Sequence, residues 1–216
     1  MTDGFPALSS KVASRTLANG LRVLVLPRGE APVVSFHTYV DVGSVDERPG
    51  ITGIAHMFEH MAFKGSPRIG TRDWGAERGA LAAEEAAFLA WRAAADAKRN
   101  DASDLERRFE EVQARALELV ASDEYSTAID RAGGVGLNAT TGTDATQYFY
   151  SLPANKLELW AWLESERFAD PVLREFYKER DVVHEERRLR TDSNPLGKLV
   201  EEALLAAFEG HPYGRP

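Results

Sequence analysis

The run from Glu77 to Val120 contains no proline and a single glycine, Gly79, and is dominated by Ala, Glu and Arg. Such a run favours helix throughout. In its second half Leu105, Phe109, Val112, Ala116 and Leu119 follow coiled-coil spacing, and Leu81, Phe88 and Ala95 recur every seven residues in the first. Between the halves lies "RNDASDLE", where Ser103 and Glu106 have the spacing of a capping box that starts a second helix. The expectation is an antiparallel helical hairpin over 77–122, a strut or docking arm. β-rich segments lie on both sides of it.

Those flanking segments set the fold class. "SRTLANGLRVLVLP" carries Asn19-Gly20 between two β-prone runs, which predicts a type I′ hairpin. In "VVSFHTYVDV", Val34, Phe36, Val40 and Val42 alternate with Ser35, His37, Tyr39 and Asp41, the period of a half-buried strand. "GLNAT" and "TQYFYSL" around Gly142-Thr143-Asp144 predict a further hairpin. Asn155 with Glu158 is expected to cap a helix whose Leu159, Trp160, Trp162 and Leu163 form an apolar face. Asp170-Pro171 is expected to open the next helix. Strands and helices in blocks indicate an α+β fold: a mixed, largely antiparallel sheet with helices packed on one side, plus the inserted helical hairpin.

"HMFEH", residues 54–63 being helical in character, places His56 and His60 one turn apart on one helix face, with Glu59 beside them. The chain has no cysteine and five histidines, so a transition-metal site here must be built from His, Asp or Glu. A two-histidine zinc site needs a third protein ligand. On the later helix "FYKERDVVHEERRLR", Glu179 and Glu186 fall in the same arc as Phe176, Val182, Val183 and Leu189, whereas Glu185 points away. Two carboxylates on an apolar arc mark either a cation site or salt bridges to the neighbouring Arg180, Arg187 and Arg190. His37 belongs to the polar face of its strand; His184 projects away from the arc and His211 sits in a terminal turn, so none of these makes a good ligand.

Three segments in order resemble the pitrilysin/insulinase family of zinc metallopeptidases, the inverzincins: "VGSVDERPGITGIAHMFEHMAFKGS", "GGVGLNATTGTDATQY" followed by "LP", and "ERDVVHEERRLRTDSNPLG". The resemblance implies one Zn2+ per chain held by His56, His60 and Glu186, with Glu59 as the base that activates water and Glu179 supporting the site. It also implies that Asn138 and Ala139 lie on a strand edge that holds the substrate backbone, and that the substrates are unfolded peptides. His60 and Glu186 are 126 residues apart, well beyond the family's usual spacing, and the excess matches the helical hairpin. The hairpin therefore reads as an insertion in an N-terminal peptidase domain spanning 11–216. Nothing in the sequence matches the second half or paired subunit that supplies the family's Arg/Tyr pair, and the first domain is expected to be truncated at its C-terminal end.

The resulting expectation is a zinc-dependent metalloendopeptidase. The alternative is a metal-binding subunit or fragment that is inactive until a homologous half or subunit joins it; a non-catalytic assembly protein has no need of three inward ligands and a base. A net charge of −8 argues against nucleic acid as a partner. No apolar run approaches the ~20 residues of a membrane span. The N-terminus lacks the pattern of a signal peptide, which favours the cytoplasm, with the periplasm as the alternative because bacterial members of the family are often exported.

Overall fold

The computed structural model describes residues 9–214, and the chain divides into two compact units between Val33 and Val34. The first unit contains β1 (Ala13–Thr16) and β2 (Arg22–Val25), paired antiparallel with Thr16 opposite Arg22. Their turn differs from the type I′ expectation. Leu17 N–H bonds to Leu21 O at 2.8 Å and Gly20 N–H to Leu17 O at 3.0 Å, leaving a three-residue loop, Ala18-Asn19-Gly20. Only Gly20 takes a left-handed φ, +89°, because Asn19 Oδ1 accepts the Leu21 N–H and completes a local turn instead.

In the second unit β3 (Val33–Val40), which starts at the boundary, lies beside β5 (Thr146–Pro153), which pairs antiparallel with β4 (Val135–Thr141) in the order β3-β5-β4. Ser35 meets Ser151 and His37 stacks on Phe149, so β3 and β5 also run antiparallel. The period-2 pattern of β5 buries Thr146, Tyr148, Tyr150 and Leu152 on one face. Two helices, α4 (Glu124–Arg131) and α5 (Leu157–Ala169), contribute Tyr125, Ile129 and Leu163 to a core shared with Phe36, Ile69, Tyr150 and Leu152. Trp160 stacks on Phe36 at 4.5 Å, whereas Trp162 is exposed and Val42 lies beyond the end of β3, also exposed. The inner side of α5 is completed by Arg167, wholly buried, whose guanidinium lies 4.4–4.8 Å from the ring centres of Phe63, Tyr125 and Tyr148.

The motif helix is α1 (Ile54–Met61), and the hairpin consists of α2 (Trp74–Asp96) and α3 (Ala102–Leu117). The hairpin starts ahead of Glu77 because Asp73 accepts the Ala76 N–H as an N-cap. Phe109, Val112 and Ala116 are buried as the spacing predicts, but Ala94 takes the buried place expected of Ala95, and Leu119 follows the end of the helix. The Ser103–Glu106 capping box does not form: α3 begins at Ala102, so Ser103 lies inside its first turn, and Asp101 pairs with Arg99. Asn155 does not cap either, because α5 is entered through a 3-10 turn at Ala154–Lys156.

Asp170-Pro171 likewise starts no helix; α6 runs from Phe176 to Arg187. The reason is Arg174. Fully buried, it binds Glu77 at 2.7 and 3.2 Å and the carbonyls of Ile69 and Ser66, both at 2.9 Å, which holds the approach to α6 in a non-helical path. After a wide turn at Arg188–Asp192, α7 (Pro195–Ala207) starts on an Asn194 cap with proline in its first turn. Among the described residues no helix is long and apolar enough to cross a membrane.

Candidate metal centre

Helix α1 is placed by a carboxylate outside it. Glu47, buried, accepts the N–H groups of Gly53 at 2.8 Å and Ala55 at 2.7 Å, supplying the cap that Gly53 has no side chain to provide. The loop carrying Glu47 is tied in turn to the β4–β5 connection, through Ser44 N–H to Gly142 O and Val45 N–H to Thr143 O. Met57 and Met61 bury the opposite side of the helix, which leaves His56, Glu59 and His60 facing a cleft of about 1090 Å3.

Across that cleft stands α6. His60 Nδ1 and Glu179 Oε1 are 2.8 Å apart. Burial alone would raise the Glu179 carboxyl, but hydrogen bonds from Lys64 and His60 outweigh it and hold the pKa below the ordinary value, so the group is ionised and His60 Nδ1 must be the donor. In the neutral imidazole this tautomer leaves His60 Nε2 with a lone pair. That nitrogen lies 3.2 Å from His56 Nε2, which in turn lies 3.6 Å from Glu186 Oε2. Burial and the neighbouring His60 lower the His56 pKa, keeping it the neutral imidazole that a metal requires.

These donors fit a metal. The ligand atoms of His56, His60 and Glu186 all lie within 4.8 Å of one another. Bonds of about 2.0–2.1 Å in a tetrahedron put ligand atoms about 3.3 Å apart, close to the 3.2 and 3.6 Å separations found here. Glu186 Oε2 is buried and makes no hydrogen bond, although the mostly exposed Arg190 guanidinium reaches to 3.2 Å. Of the arginines that could have claimed the inward carboxylates, Arg187 pairs with Glu201 and Asp192, and Arg180 with Asp181. Glu185 is exposed and pairs with Arg188. The arc itself is less apolar than its sequence suggests, since Val182 and Leu189 are exposed.

Asn138 and Ala139 lie on β4, the strand at one end of the order β3-β5-β4, and both line the same cleft. A bulge between Val135 and Asn138 shifts the register by one residue, with Gly136 at φ +70°. Ala139 N–H donates to Asn138 Oδ1 at 2.9 Å.

Three further groups belong to the site and were not singled out in the sequence. The Thr141 hydroxyl donates to Glu59 Oε2. Lys64 lies 2.8 Å from Glu179 and 3.1 Å from Glu175. Burial would lower the lysine, but these two carboxylates raise its pKa overall and keep it charged. Glu47 is the third. Lys64 had a readable signal, four residues beyond His60; Thr141 and Glu47 depend on contacts between distant segments.

A model of the insulinase family of peptidases, family M16, matches residues 22–89, which include the two histidines and Glu59. The zinc protease PqqE of Helicobacter pylori is 29% identical over 206 residues, covering 94% of this chain and 35% of that protein. The crystal structure of a protease from Helicobacter pylori superposes with a TM-score of 0.67 at 29% identity, over 94% of this chain and 37% of that one. Residues 22–89 thus match the insulinase family. An uncharacterized zinc protease of Mycobacterium leprae, 30% identical over 216 residues, aligns over 97% of this chain and 36% of its own length. The chain thus spans about a third of the length of the relatives it matches.

Proposed function

We propose that this chain carries the metal centre of a zinc-dependent metalloendopeptidase acting on unfolded peptides, with His56, His60 and Glu186 holding one Zn2+, Glu59 as the base and Glu179 orienting His60. The observation that carries this reading is the convergence of His56, His60 and Glu186, from helices 126 residues apart in sequence, to within 4.8 Å of one another. Zinc supplies Lewis acidity there, making a water nucleophilic near neutral pH and drawing charge from the scissile carbonyl. Glu59 takes the proton of the attacking water and returns it to the leaving amine. The Thr141 hydroxyl, bound to Oε2, fixes the carboxylate so that its other oxygen receives the proton. Glu179 holds the His60 tautomer that leaves Nε2 free for the metal. Asn138 and Ala139 offer an extended peptide the edge of β4, which recognises backbone and makes sequence selectivity loose.

The share of the relatives that this chain spans supports a second element of the reading: a homologous half or subunit closes over the cleft, and the chain alone is inactive. Residues 77–122 are read as an insertion in an N-terminal domain covering 11–216. The test is Glu59→Gln in the complete protease. It is expected to retain stoichiometric zinc and to lower cleavage of an unstructured peptide by about 10²–10⁴-fold. Undiminished cleavage would sink the assignment of the base.

A further inference from the structure

The hairpin expected to be a strut or docking arm packs on the helix that carries the two site glutamates. Tyr177, in the first turn of α6 and buried, stacks on Phe88 of α2 with ring centres 4.1 Å apart and meets Phe109 of α3 edge-on at 5.3 Å. Its hydroxyl donates to Glu85 of α2. Trp91 extends the cluster by stacking on Phe109 at 5.6 Å, and the Arg180 guanidinium lies 5.4 Å from the Phe88 ring. Just before α6, the buried ion pair of Arg174 with Glu77 fastens the same approach to the first turn of α2.

Helical phase makes this more than packing. Tyr177 is two residues from Glu179 and nine from Glu186, which at about 100° per residue puts both glutamates roughly half a turn away from it. Helix α6 is therefore held on one side by the hairpin and presents Glu179 and Glu186 on the other, toward α1. The two elements are 3.6 Å apart at His56 and Glu186 and 2.8 Å apart at His60 and Glu179. A shift of α6 would change both distances together.

We propose that the α2–α3 hairpin is a brace that sets the position of α6, and thereby the distance of Glu186 from the two histidines, with Tyr177 as the positioning residue. The inference rests on the metal-site reading above. The test measures zinc affinity of the whole chain by chelator competition and records the visible absorption of its cobalt-substituted form, which reports ligand geometry. Tyr177→Ala is expected to weaken zinc binding by about tenfold or more and to alter the cobalt band. Tyr177→Phe, which keeps the ring stack, is expected to restore both. Leu152→Ala, a core truncation away from α6, is expected to lower thermal stability while leaving affinity and band unchanged, which separates positioning from general destabilisation. A folded Tyr177→Ala chain with wild-type affinity and band overturns the brace. Where that variant does not fold, Phe88→Leu, which keeps apolar bulk and removes the ring stack, takes its place, and an unchanged affinity and band overturn the brace equally. Failure of the unaltered chain to bind zinc overturns the metal reading as well, so the two failures are distinguishable.

Discussion

The two walls of the cleft are built in opposite ways. On α1 the histidines are separated by one turn of a single helix, so their spacing follows from local geometry once Glu47 has fixed the end of that helix. On α6 nothing local fixes the distance to the partner wall. It depends on Arg174, on the hairpin and on Lys64, groups drawn from several segments. One wall is specified by period and the other by packing, so damage to the second should propagate further.

The largest expected effect comes from its mooring. Glu77→Gln removes one member of a wholly buried ion pair and leaves Arg174 with carbonyl partners only. Chemical denaturation should show a loss of about 3–5 kcal/mol. A loss below about 1 kcal/mol would mean that the α6 wall stands without this anchor. Next is Glu186→Gln compared with Glu185→Gln. The first should weaken zinc binding by about a hundredfold, and the second should leave it unchanged; equal effects would mean that the wrong face of α6 has been assigned to the metal. On the local wall, Glu47→Ala removes a cap from α1 and should cost about 1 kcal/mol of stability. Thr141→Val should leave zinc affinity intact and reduce peptide cleavage by the complete protease by about tenfold. If it also loosened zinc, Thr141 would be acting on the histidines and not on the base.

The same contrast explains what could be read from the sequence. Periodicity located α1, the hairpin, β5 and the inward phase of Glu179 and Glu186, because each depends on residues within one element. Failures came where a side chain found a distant or unexpected partner. Asn19 bonded Leu21 and shortened the left-handed stretch of its turn to Gly20 alone. Arg174 drew residues after Asp170-Pro171 into the interior instead of a helix. Ser103 and Asn155 have capping chemistry, but α3 started ahead of the first and a 3-10 turn absorbed the second. Thr141 and Lys64 are of ordinary type and become part of the site only because β4 and the end of α1 converge on the cleft.

The bond between Asn138 and Ala139 gives the strand edge a second character. A bare edge attracts any extended chain, including another copy of the same protein. In the proposed peptidase the Asn138 side chain, bonded to the Ala139 N–H, would withhold one rung of the ladder until an arriving peptide replaced its oxygen with a backbone carbonyl. A short or poorly extended segment would gain too little to make the exchange. Such an edge would screen peptides for length and extension before any side chain is inspected.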